Sequence, residues 1–64
     1  MINKLLELFE LGGKKNYEFH YSVSEEKNNI LSVDNDNKII SVTIGDPESK
    51  DLPIVIEDIL KKLE

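Results

Sequence analysis

The hydrophobic positions change period along the chain, and the changes mark the elements. Over residues 2–11 they recur at helical spacing: Ile2, Leu5, Leu6 and Phe9 form one stripe, Leu8 widens it, and Asn3, Lys4, Glu7 and Glu10 fill the opposite arc. Gly12-Gly13 predicts the stop, because glycine enters the left-handed C′ conformation without a Cβ clash. From residue 17 the period is two. Tyr17, Phe19, Tyr21 and Val23 alternate with Glu18, His20, Ser22 and Ser24, which predicts a strand over 17–23. Glu25-Glu26-Lys27-Asn28 reads as a turn. A second strand is expected over 29–33, with Leu31 and Val33 on one face and Ile30 and Ser32 on the other. Asp34-Asn35-Asp36-Asn37 is a turn cluster, since Asn and Asp bond their own backbone and tolerate positive φ. A third strand follows over 38–44, with Ile40, Val42 and Ile44 opposite Ile39, Ser41 and Thr43. Gly45 to Asp51 is a polar loop with breaker residues. A helix is expected from about 53 to 63, where Pro53 suits the first turn and Val55, Ile56, Ile59, Leu60 and Leu63 share a face. The β-branched run Ile54-Val55-Ile56 leaves a fourth strand open over 52–56.

The order α-β-β-β-α with short turns predicts one small α+β domain over residues 1–64. Its expected form is a two-layer fold, a three-stranded antiparallel meander with both helices on the apolar face. The first helix would give the core Ile2, Leu5, Leu6 and Phe9, and the first strand Tyr17, Phe19, Tyr21 and Val23. Leu31, Val33, Ile40, Val42 and Ile44 would join them from the other strands, and Ile56, Ile59, Leu60 and Leu63 from the last helix. In a meander the first and third strands are the edges. The third has little protection beyond Lys38, so a C2 homodimer is expected through it, or through Ile30 and Ile39 as neighbours on adjacent strands.

Composition narrows the function classes. Sixty-four residues leave no material to wall a large enclosed active site once the core is built. Eight Lys face thirteen Asp and Glu, for a net charge of −5, and there is no Arg. Without the guanidinium fork that grips phosphate and guanine, direct binding to nucleic acid or an anionic membrane is not expected. With no Cys there is no disulfide framework, thiolate nucleophile or Cys-based zinc site. Lys, Asn and Ile, all with A/T-rich codons, make up twenty-two residues, a composition that suits low-GC bacteria and their phages. Lys4, Glu7 and Glu10 interrupt the apolar start, and no stretch approaches the ~20 apolar residues of a membrane span, so a cytoplasmic protein is expected.

The candidate chemistry is thin. Asp34-Asn35-Asp36 opens like a calcium loop, but Ile39 and Gly45 stand where that loop needs Gly and Glu, so a plain turn is expected. His20, the only imidazole, falls on the outer face between Glu18 and Ser22, with no further ligand set and no oxyanion donors. The acidic residues fall in turns and on outer helix faces, and Gly12-Gly13 is no phosphate cradle. No catalytic residue, metal site or cofactor is expected. Two surfaces stand out. Glu25, Glu26, Asp46, Glu48 and Asp51 converge at one end, offset only by Lys27 and Lys50. They either complement two helix dipoles or form a docking surface for a basic partner. The outer sheet face, with His20, Ser22, Ile30, Ile39 and Ser41, is the second candidate for a partner or a dimer.

The element order and length resemble the double-stranded RNA-binding domain. That family needs basic residues at the start of its second helix, where this chain has Pro53-Ile54-Val55-Ile56-Glu57-Asp58. It also needs a histidine in the first strand-to-strand loop, where this chain has Glu25-Glu26-Lys27-Asn28, so only the topology carries over. Met1–Glu10, Tyr17–Val23, the Asp34–Asn37 turn and the acidic remainder also resemble small acidic phage anti-CRISPR proteins that block Cas9. That resemblance implies an acidic surface that mimics DNA. The expected function is therefore a non-enzymatic interaction module, a phage or mobile-element inhibitor of a basic, nucleic-acid-handling host protein. The alternative is a small bacterial housekeeping adaptor acting as a homodimer.

Overall fold

The computed structural model describes the chain from Ile2 to Glu64, with side chains from Asn3 onward. Its elements are α1 (Ile2–Lys14), β1 (Glu18–Val23), β2 (Asn29–Asp34), β3 (Ile39–Ile44) and α2 (Leu52–Leu63). Residues 52–56 are therefore the first turns of α2 and not a fourth strand. Pro53 sits in the first turn, where its missing N–H costs nothing, and Lys61 and Lys62 lie at the negative end.

α1 runs through Gly12-Gly13 instead of stopping there. The left-handed residue is Asn16, with φ 65. The Tyr17 amide donates to the Gly12 carbonyl at 2.8 Å and the Asn16 amide to the Gly13 carbonyl at 3.1 Å, the paired bonds of a Schellman motif. Gly12 has a different task, because a Cβ there would meet the Phe19 ring at 2.5 Å and Ile40 at 3.0 Å. The missing side chain lets α1 lie close on the sheet.

The sheet is not a meander. Its strand order is β1-β3-β2, with β1 parallel to β3 and β2 antiparallel to it. β3 is the centre, and the edges are β1 and β2. Five of its six residues are β-branched, and a central strand buries them best. Both backbone flanks of β3 are occupied, which overturns the expected dimer through that strand. Ile30 and Ile39 are not neighbours either: Ile30 pairs with Thr43 and Ile39 with Asp34, at opposite ends of the ladder.

The β1–β2 connection, Ser24 to Asn28, must therefore span two strand spacings, about 10 Å, across the end of β3. It passes directly over Gly45. A Cβ there would lie 1.9 Å from the Glu26 carbonyl oxygen and 2.4 Å from that of Asn28. Asn29 locks the crossing. Its Oδ1 accepts from the Gly45 and Asp46 amides at 2.9 Å each, and its Nδ2 donates to the Asp46 carbonyl at 2.8 Å.

One apolar cluster holds the layers together: Leu8, Ile40, Val42, Ile44, Leu52, Ile56, Ile59 and Leu63. α1 packs on α2 and reaches β1, while α2 lies on β2. Ile40, Val42 and Ile44 alternate with less buried residues along β3, as period two requires. The helix stripe is rotated from its expected position, since Leu8 is fully buried and Leu6 is exposed. Leu52 joins the core, whereas Tyr21 and Val23 are 53% and 76% exposed. Ile2 of the expected core lies outside the described side chains.

Candidate partner-binding surface

Strand directions are the same in this sheet as in a meander, so the chain ends still sort as expected. The β1–β2 and β3–α2 connections meet at one end, and Asn29 bonds one to the other. Within the first, the Ser24 hydroxyl accepts from the Glu26 amide and donates to Asn28 Oδ1. Within the second, the Asp46 carboxylate accepts from the Glu48 amide, and the Ser49 hydroxyl accepts from that of Asp51. These small turns fix the backbone while leaving the carboxylates of Glu25, Glu26, Glu48 and Asp51 in water; Asp46 is half-buried. Asp51 is the N-cap of α2, yet its side chain makes no capping bond. A shallow cleft of about 160 Å³ lies between the two connections, lined by Lys27, Asn28, Asp46, Ser49, Asp51 and Val55, among others. Five carboxylates and two lysines thus share one scaffolded surface.

The outer sheet face falls into three rows: Glu18–Ile39–Asp34, His20–Ser41–Ser32 and Ser22–Thr43–Ile30. His20, Ser22 and Ser41 are brought together, while Ile30 and Ile39 sit at separate ends. His20 Nε2 contacts Glu18 Oε2, and the hydroxyls of Ser22 and Thr43 bond across the strands at 2.9 Å. These contacts tie the polar groups to each other and orient none of them toward a common point.

At the opposite end Asp34 accepts from the Asp36 and Asn37 amides and from the Asn37 side chain. The Asn37 bonds hold its carboxyl below the ordinary range. Both of its oxygens serve the turn. Between the helices, Lys4 Nζ donates to Glu57 Oε2 at 2.6 Å, which raises the lysine and lowers the glutamate.

One feature has no counterpart among the expected sites. An apolar groove of about 240 Å³ lies between α1 and the β1 edge, lined by Leu5, Leu6, Phe9, Tyr21, Ile44, Pro47 and Leu52. Its signal in the sequence was an excess: α1 and β1 carry more apolar side chains than one shared interface covers. No protein-family model matches the chain, and no curated protein or solved structure matches it at a significant level. Among the described residues, no helix is long and apolar enough to cross a membrane.

Proposed function

We propose that this chain is a non-enzymatic interaction module of the cytoplasm. In this reading its acidic end docks on a basic protein that handles nucleic acid, in the manner of the anti-CRISPR-like inhibitors of phages and mobile elements. The observation that supports it is the joining of the two acidic connections through Asn29. Charges on one rigid frame keep their spacing, so a partner's Lys/Arg groove meets a preformed field instead of two independent loops. Such a field raises the rate of encounter with a basic protein and repels nucleic acid, so the two would compete for the partner's groove.

The test is affinity capture from the native host with identification of the retained protein, followed by titration of that partner at several salt concentrations. Asp46→Asn, Glu48→Gln and Asp51→Asn together should leave the melting temperature nearly unchanged, because Glu48 and Asp51 are exposed and Asp46→Asn keeps the Oδ1 that accepts from the Glu48 amide. The same variant should bind more slowly and with a flatter salt dependence. Unchanged affinity and salt slope would reduce the acidic end to a solvated surface and move attention to the outer face around His20, Ser22 and Ser41.

A further inference from the structure

We propose that β1 is a self-pairing edge, and that a second copy of this chain adds to it antiparallel across a two-fold axis at Tyr21. This inference does not rest on the acidic-end reading, although Glu25 and Glu26 of that end border the strand.

The backbone parity of β1 is the first observation. The Glu18 amide donates to the Lys38 carbonyl and the Ser24 amide to the Ile44 carbonyl, both toward β3. Peptide groups alternate along a strand, so the N–H and C=O of Phe19, Tyr21 and Val23 point away from β3, at the open edge. A two-fold at Tyr21 pairs Phe19 with the second copy's Val23, Tyr21 with Tyr21, and Val23 with Phe19. All three are hydrogen-bonded pairs, and every edge-facing donor and acceptor is used. Centring the axis on His20 would instead strand Val23 and set histidine against histidine.

Side chains agree with that register. The same three residues face the helix side, where Tyr21 and Val23 are exposed and Leu6 flanks Tyr21 across the groove. Pairing covers Tyr21 with Tyr21 and Val23 with an aromatic ring. On the outer face Glu18 meets Ser24 and His20 meets Ser22, so no like charges oppose. The strand carries no Lys, Pro or bulge to guard its edge.

Charge complementarity points to a second copy over a foreign strand. β1 leads into Glu25 and Glu26 at one end and is preceded by Lys14 and Lys15 at the other, where Lys38 Nζ also bonds the Lys15 carbonyl. Antiparallel pairing sets the acidic end of each copy beside the basic end of the other.

Sedimentation equilibrium up to high micromolar concentration, with amide hydrogen exchange on the same samples, tests this. The expected result is a monomer–dimer equilibrium in which the Phe19, Tyr21 and Val23 amides gain protection with concentration. Val23→Lys should weaken the dimer by about tenfold or more with an unchanged monomer fold, since it adds the charge that edges use against pairing. Ile30→Lys, on the outer face at the other edge, should leave dimerisation intact. A monomer at every concentration would overturn the proposal. So would a dimer that ignores Val23→Lys, or one that protects other amides.

Discussion

The two sheet edges carry matching patterns and end in different states. In β2 the inward residues Asn29, Leu31 and Val33 are all half-buried, because α2 lies over that strand. In β1 their counterparts across the sheet, Val23, Tyr21 and Phe19, lose cover progressively toward the strand end. Phe19 is held by Phe9, edge to face at 4.8 Å, and by the bare backbone of Gly12, whereas Val23 is left largely exposed. Alternation along a strand states which face turns inward. It does not state whether a helix reaches that far. One edge is therefore finished by its own fold and the other is left with apolar surface and open peptide groups, which is where a partner strand has most to gain.

Four tests probe this difference. The largest effect is expected at Gly45, whose lack of a side chain lets β1 and β2 occupy opposite edges at all. Gly45→Ala forces a methyl into the crossing backbone and should cost about 3 kcal/mol or more in chemical denaturation, a large part of so small a domain's stability. A variant with unchanged stability would mean that the crossing does not pass over Gly45. Next comes the row Tyr21–Val42–Leu31, which compares the edges directly. Leu31→Ala should cost about 2 kcal/mol and Tyr21→Ala under about 1 kcal/mol, measured at concentrations where the chain is monomeric. Equal costs would erase the contrast between the edges. In the row Val23–Ile44–Asn29, Asn29→Ala strips partners from the Gly45 and Asp46 amides and should cost about 1–2 kcal/mol. Val23→Ala, at 76% exposure, should stay within about 0.5 kcal/mol in the monomer.

The smallest effect is acid sensitivity. Asp34 and Glu57 are held below their ordinary values of 3.8 and 4.5, Asp34 by Asn37 and Glu57 by Lys4. A depressed carboxyl stabilises the fold above its unfolded value, and that contribution fades as pH falls through the folded one. The melting temperature should therefore decline on acidification below the ordinary carboxylate range, and Glu57→Gln should flatten that decline. Lys4 is raised instead, so its contribution is complete below 10.5 and is lost only as pH rises through its folded value. A melting temperature that is flat in acid would remove both pairs from the account.

Much of this was legible from local pattern. All five elements follow from periods of 3.6 and 2, and the inward faces of β2 and β3 fall where alternation puts them. The convergence of Glu25, Glu26, Asp46, Glu48 and Asp51 was also legible, because it depends on strand direction, which short connections dictate whatever the lateral order. The Asp34–Asn37 turn formed where Asx chemistry predicts, with Lys38 taking φ 57 at its exit. At the end of α1, by contrast, helix geometry at Gly12 and Gly13 won over their freedom to terminate, since the first was needed for contact with Phe19 and Ile40.

Periodicity is a property of a few consecutive residues, and it determined what each segment of this chain becomes and which side it hides. Lateral strand order is different, because it couples residues far apart in sequence. Five residues between β1 and β2 can close a hairpin or pass over a third strand, and nothing within Ser24 to Asn28 chooses between them. The choice falls to the β-branched β3, which gains most from the centre, to a glycine at position 45 that leaves room for the crossing, and to the Asn29 side chain that bonds it shut. Only in the assembled sheet do these three meet, and only there does β1 become the edge that is left open.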